Sequence, residues 1–172
     1  VFYPKTSQLP ATDPPYILFV GGDYVNKNRP AALAAFARLT QETALPHHLV
    51  LVGRDPTPDD ELARRTPGLD LRRLRRIAQV DQVELARLYR RADLFLFPST
   101  CEGFGLPVLE AMASGAPVVT STASSLPEVA GQAALLVDSH DAAGLAAAMI
   151  RVLADRALHS RLRTAGLARA AQ

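Results

Sequence analysis

The sequence predicts an α/β domain of three layers, a mostly parallel six-stranded sheet between helices. Two observations carry that prediction. The strand candidates are short, almost wholly apolar runs without polar alternation, which suits strands buried on both faces. They also alternate with helical patterns along the whole chain, which implies right-handed crossovers and helices on both sides of the sheet.

Residues 1–15 contain Pro4, Pro10, Pro14 and Pro15 among polar spacers and read as a linker, with the domain proper spanning 16–172. Tyr16-Ile17-Leu18-Phe19-Val20 is the first strand, ended by Gly21-Gly22. Asn28 stands as the cap of a helix with Pro30 in its first turn and a stripe of Leu33, Phe36, Ala37 and Leu39. His48 to Val52 is the second strand. A polar loop through Asp59 and Asp60 then leads to a short helix ending near Arg65. Leu74 to Val80 is a third, weaker strand, and Val83, Leu85, Leu88 and Tyr89 mark an amphipathic helix. Asp93 to Phe97 is the fourth strand. A helix over 106–114 stops at Gly115, a natural C-cap residue. Ala116 to Thr120 is the fifth strand. Ser125-Leu126-Pro127-Glu128 has the spacing of a capping box. Ala134 to Val137 is the last strand, Asp141 caps a helix over 142–154, and a final helix covers about 156–169.

Parallel sheets of this kind bind ligands beyond the carboxyl ends of their strands. The loops that matter are therefore 21–28, 53–58, 78–82, 98–105 and 120–125.

Bulk properties narrow the function classes. With 172 residues, 48% of them apolar and 21% charged, the chain is an ordinary globular domain. The lone Cys101 excludes an internal disulfide, argues against a thiol-based zinc site, and fits a reducing compartment. No apolar run approaches the roughly 20 residues of a membrane span. The start Val1-Phe2-Tyr3-Pro4 has no initiator Met, which suggests a fragment. Net charge is only +2, but Arg64, Arg65, Arg72, Arg73, Arg75 and Arg76 crowd one stretch, followed by Arg87, Arg90 and Arg91. This reads either as a solvated face or as a patch for a membrane surface or an acidic partner. Nucleic acid is disfavoured because no aromatics interleave with the arginines.

The chemistry concentrates in Glu102-Gly103-Phe104-Gly105-Leu106-Pro107-Val108-Leu109-Glu110. Two carboxylates joined by a glycine-rich turn suit a polyol ligand that also carries phosphates. Pro107 belongs in a first helical turn, and the glycines let backbone approach a ligand. The helix N-terminus beyond them is an anion site. A glutamate in a first helical turn also stabilises a macrodipole with no ligand, and a lone Lys27 before a helix is often merely solvated.

Four colinear segments resemble the C-terminal, nucleotide-sugar-binding domain of the retaining glycosyltransferases called group 1, or family 4, with a GT-B fold. They are Phe19-Val20-Gly21-Gly22 through Lys27-Asn28, Phe97-Pro98-Ser99 leading into Glu102 to Ala111, Gly115-Ala116-Pro117-Val118-Val119, and Ser125-Leu126-Pro127-Glu128-Val129. The resemblance implies a Rossmann-like domain and gives each residue a role. Glu110 takes the ribose hydroxyls, through charge-assisted bonds worth about 1.5–3 kcal/mol each. Glu102 contacts the donor sugar and is the residue placed at the catalytic centre. The pyrophosphate lies near the N–H groups of Gly103, Phe104 and Gly105, next to Leu106, with help from Lys27. Ala78, Gln79 and Val80 meet the nucleobase.

Relatives carry an arginine in the first loop where this chain has Gly22 and Asn26. A second cation on the pyrophosphate then comes from Arg29 or Arg54, with Arg54 favoured because it directly follows the second strand. Ser124 and Ser125 touch a phosphate or, for Ser125, cap a helix. Tyr24 is a candidate for stacking on the ligand. Cys101 reads as a small packing residue, and His47, His48, His140 and His159 form no constellation for metal or acid–base work.

The implied activity is transfer of a hexose, mannose by family habit, from a nucleoside diphosphate to a hydroxyl acceptor, with retention and without a metal or other cofactor. The acceptor, a saccharide or a lipid-linked one, belongs to an N-terminal domain missing here. The fragment alone is expected to bind donor weakly and turn over little. A cytoplasmic location, peripheral at the inner membrane face, is implied with it. Two alternatives stand beside this: a non-catalytic nucleotide-sugar-binding module of the same fold, and an isomerase or phosphorylase of the same architecture. The latter needs a cofactor lysine or catalytic histidine that is not evident.

Overall fold

The central apolar runs bury both of their faces, and that requirement builds the sheet. A computed structural model describes residues 14–22 and 24–172. The linker expectation falls largely on residues 1–13, outside the described residues. Six strands are present: β1 Tyr16–Val20, β2 His48–Val52, β3 Leu74–Ile77, β4 Leu94–Phe97, β5 Val118–Ser121 and β6 Ala134–Val137. All pair in parallel, in the order β3-β2-β1-β4-β5-β6.

Side chains alternate between two cores with a period of two. Ile17, Phe19, Leu49, Leu51, Leu94 and Leu96 face one core. Tyr16, Leu18, Val50, Val52, Phe95 and Phe97 face the other. Helix α1 (Arg29–Glu42) and helix α6 (Ala142–Ala154) cover the first face, joined by Leu62 of α2 (Asp59–Arg65). Helix α3 (Gln82–Arg91), α4 (Leu106–Ala113) and α5 (Leu126–Ala130) cover the second. Helix α7 (Arg156–Ala170) closes the edge, placing Leu158 and Leu162 in the first core and Ala165 and Ala170 against the second. This is the predicted three-layer fold, with the sheet wholly parallel.

Several local expectations need correction. Asp59 and Asp60 begin α2 rather than lying in a loop, where carboxylates offset the helix dipole. β3 stops at Ile77, three residues short of the predicted end. Asn28 stands before α1 in a left-handed conformation, but its amide donates to the Ser139 carbonyl (2.7 Å) instead of capping. Ser125 precedes α5 without a capping bond, because its hydroxyl is used elsewhere. Glu110 lies in the second turn of α4, so the first-turn dipole explanation does not apply to it. Asp141 caps α6 as expected, accepting from the Gly144 N–H at 2.8 Å.

The strand order reverses between β1 and β4, and the loops after these two strands border a crevice at the carboxyl edge. The loop after β2 is drawn to the same place. Gly53 has φ +133°, and a Cβ there would lie 2.5 Å from the Gly21 carbonyl oxygen. Only glycine lets these two strand ends meet.

Candidate functional site

The crevice brings together residues far apart in sequence. A short 3-10 turn, Val25–Lys27, follows β1 and carries Lys27 to the loop after β4. There Lys27 Nζ lies 2.7 Å from Glu102 Oε1, with the two side chains only 18% and 10% exposed. The ammonium also sits 5.0 Å from the centre of the Phe97 ring, a cation–π position.

Glu102 Oε1 has two further donors. The Ser99 hydroxyl is 2.6 Å away and the Asn26 amide 3.5 Å. The same hydroxyl also lies 2.7 Å from the Asn26 carbonyl. One proton serves one acceptor at a time, and the ionised carboxylate is the nearer and stronger acceptor, while the carbonyl also takes the Thr100 N–H at 2.8 Å. The Ser99 proton is therefore available to the carboxylate. The Glu102 backbone is fastened as well: its carbonyl accepts from Ser124 (2.7 Å) and Ser125 (3.1 Å). Ser121, at the end of β5, donates to the Ser99 carbonyl. No described residue donates to Oε2, so Glu102 has one occupied oxygen and one open one.

Gly105 turns the chain into α4. Its φ is +95°, and a Cβ there would lie 2.8 Å from Leu126 Cδ2. A Cβ on Gly103 would meet nothing within 4 Å. Phe104 and Leu106 are exposed, at 56% and 60%. This exposed turn lies next to Glu102 and leads into the N-terminus of α4, the positive end of the helix dipole.

Glu110, one turn further along α4, is exposed, and its Oε2 accepts from the Tyr89 hydroxyl at 3.2 Å. Tyr89 is buried on α3, edge-on to Phe95 with ring centres 5.2 Å apart. Burial first, and then the charge and hydrogen bond of Glu110, push its hydroxyl far above the usual tyrosine range. It remains a proton donor.

The two candidates for a second cation separate. Arg29 forms a nearly buried ion pair with Asp55 at 3.1 Å. Arg54 is exposed, and no described residue pairs with its side chain. A Cβ on Gly22 would lie 3.8 Å from the Arg54 backbone nitrogen, so the Gly22 turn and Arg54 are neighbours. Gln79 is exposed in the loop after β3, and Tyr24 is 70% exposed beside Gly22. Cys101 is an exposed free thiol rather than a packing residue, because the loop points its side chain outward.

Sequence reasoning did not find the work of Ser99, Asn26 or Tyr89. Ser99 belongs to the Phe97-Pro98-Ser99 segment, but nothing local in the sequence marks the carboxylate it serves. Tyr89 looked like one member of an apolar stripe.

Away from the crevice, the arginine-rich stretch is largely paired. Arg65 meets Glu61, Arg72 meets Asp70 (2.9 Å), Arg76 meets Asp59, and Arg87 meets Glu84 (3.4 Å). Arg73 donates to the carbonyls of Leu45 and His47. Among the described residues no helix is long and apolar enough to cross a membrane.

Residues 14–155 match the family described as glycosyl transferases group 1. The chain is 37% identical over 158 residues to O-antigen chain mannosyltransferase B of Escherichia coli, covering 91% of this chain and 42% of that protein. Among solved structures it is similar to sucrose-phosphate synthase from Thermosynechococcus elongatus, with a TM-score of 0.76 and 35% identity over 95% of this chain and 42% of that one. It is also similar to the C-terminal domain of a glycosyl transferase group 1 family protein from Francisella tularensis. That match has a TM-score of 0.77 and 26% identity, covering 92% of this chain and 86% of that domain. The chain spans about two-fifths of the length of the mannosyltransferase it matches.

Proposed function

The chain belongs to the glycosyl transferases of group 1, and from that premise we propose that it is the donor-binding half of a retaining hexosyltransferase. The observation that carries this reading is the state of Glu102. Its carboxylate has one oxygen held by Lys27, Ser99 and Asn26 and the other open, directly beside the α4 N-terminus.

In this reading Glu102 Oε2 accepts from hydroxyls of the donor sugar. The N–H groups of Gly103, Phe104 and Gly105, ahead of Leu106, receive the pyrophosphate. Lys27 has three ammonium protons, so it can keep its bond to Glu102 and still donate to a phosphate. Arg54, exposed and beside Gly22, supplies the second cation. Gln79 meets the nucleobase and Glu110 the ribose. Catalysis rests on stabilising the leaving diphosphate with fixed donors, and no metal or organic cofactor is assigned a step. No group in the crevice is assigned as covalent nucleophile.

A mannose donor carried on GDP is the favoured substrate, supported by the likeness to a mannosyltransferase. The acceptor, a saccharide or lipid-linked hydroxyl, is bound by a further N-terminal domain of the whole protein, acting in the cytoplasm at or near the inner membrane face. Titrating this chain with GDP and UDP by calorimetry tests the ribose role. Glu110→Ala is expected to weaken binding, and equal affinity in variant and parent would sink it.

The absence of an arginine at Gly22 and Asn26 favours one other reading, a binding module without transfer. Nucleotide-sugar binding by the whole protein with no transfer from any donor would select it.

A further inference from the structure

The nucleotide end of the crevice contains a buried group that none of these roles uses. Tyr89 lies on α3, under the exposed Glu110 of α4, and its hydroxyl has the Glu110 carboxylate as its acceptor. The tyrosine cannot easily move. Its ring rests edge-on against Phe95, and the neighbouring Leu88 carbonyl accepts from the Tyr16 hydroxyl at 2.7 Å, tying α3 to β1. The glutamate, by contrast, is an exposed and flexible side chain with no other described hydrogen-bond partner for its carboxylate.

We propose that Tyr89 is a specificity-determining positioning residue, whose buried hydroxyl holds Oε2 of Glu110 so that the carboxylate is preset to accept the vicinal hydroxyls of a ribose. The inference rests on the ribose role proposed above for Glu110 and says what makes that role selective. An exposed glutamate on a helix samples several rotamers, and ordering it on binding costs affinity. A donor fixed in the core removes much of that cost before the ligand arrives. Burial and the neighbouring carboxylate both raise the pKa of the hydroxyl, so it remains a proton donor at neutral pH.

The hydroxyl and the ligand do not compete. An ionised carboxylate accepts at about four lone-pair sites, so Oε2 can hold Tyr89 and still take part in a bidentate contact with a diol. Loss of the Tyr89 hydroxyl should therefore weaken discrimination between ribose and deoxyribose more than it weakens binding of the phosphates.

The test is calorimetric titration of this chain with GDP, UDP and their 2′-deoxy forms, in the parent, Tyr89→Phe and Glu110→Ala. The parent is expected to favour the ribonucleotide. Tyr89→Phe should reduce that preference by about threefold or more, mainly through weaker ribonucleotide binding, since hydrogen bonds to charged groups are the stronger class. Glu110→Ala should abolish the preference. An unchanged preference in Tyr89→Phe, with Glu110→Ala abolishing it, overturns the positioning role and leaves the ribose role standing. A preference that survives Glu110→Ala overturns the ribose role itself, and this inference with it. Near-ultraviolet circular dichroism verifies that Tyr89→Phe keeps its packing against Phe95. If that variant does not fold, 3-fluorotyrosine placed at position 89 keeps the ring and makes a stronger donor. It is expected to raise the preference, and no change there would equally overturn the proposal.

Discussion

Lys27 Nζ and Glu102 Oε1 lie 2.7 Å apart across the point where the strand order reverses, bridging the loop after β1 and the loop after β4. The pair holds the two walls of the crevice at a fixed spacing. Both side chains are mostly withdrawn from water, so their coupling should exceed that of a surface ion pair. A double-mutant cycle of Lys27→Met and Glu102→Gln should give a coupling of about 1–3 kcal/mol in urea unfolding. Strict additivity of the two substitutions would show that the pair contributes nothing to the fold.

Ser99 is fully buried, and its hydroxyl lies 2.6 Å from the same oxygen of Glu102. Ser99→Ala leaves Lys27 and Asn26 on that oxygen but removes the donor that comes from the β4 end. We expect a loss of about 1–3 kcal/mol in stability. Affinity for GDP-mannose should also fall more than affinity for GDP, because Glu102 is assigned to the sugar and not to the phosphates. Calorimetry with both ligands decides this, and equal losses would detach Ser99 from sugar recognition.

Much of this was legible in the sequence, for a definite reason. β1, β2 and β4 announce themselves because a strand buried on both faces has no position free for polar residues, and Gly21-Gly22 and Gly53 mark where they end. Glu102 and Glu110 were legible because they share one short turn and one helix. What escaped notice depends on partners distant in the chain. Ser125 has the local spacing of a capping box, yet its hydroxyl goes to the Glu102 carbonyl 23 residues away. Asn28 looks like a cap, yet its amide reaches Ser139, 111 residues on. Local spacing states what a side chain could do for its own helix. It does not show which distant carbonyl will compete for the same proton.

The two glycines beside Glu102 should respond oppositely to alanine. Gly105 holds a left-handed conformation, with Leu126 where a Cβ would go. Gly105→Ala should cost about 1–3 kcal/mol of stability. Gly103 has open space at that position. Gly103→Ala should leave the melting temperature nearly unchanged while weakening nucleoside diphosphate binding, because the added methyl occupies space assigned to the ligand. Thermal unfolding and calorimetry on both variants separate the two roles, and a destabilised Gly103→Ala with normal affinity would contradict the assignment.

The opposite edge of the sheet carries a pH dependence that does not involve the crevice. His47 precedes β2 and is buried, and its Nδ1 has no hydrogen-bond partner among the described residues. Burial lowers its pKa below the ordinary 6.5, the nearby Asp93 carboxylate opposes that, and Arg73 and His159 reinforce it. Nε2 lies 3.8 Å from Asp93 Oδ2, too far for a hydrogen bond that would offset the burial. The folded chain therefore keeps His47 neutral at a pH where the unfolded chain has already bound a proton. Stability should be complete above about 6.5 and fall as the pH drops toward the lowered folded value. One such group gives a slope approaching about 1.4 kcal/mol per pH unit. His47→Gln removes the titration while keeping a polar side chain. In urea unfolding at pH 7.5 and 5.0, the parent should lose more stability between the two than the variant. Parallel losses would place the acid sensitivity elsewhere in the molecule.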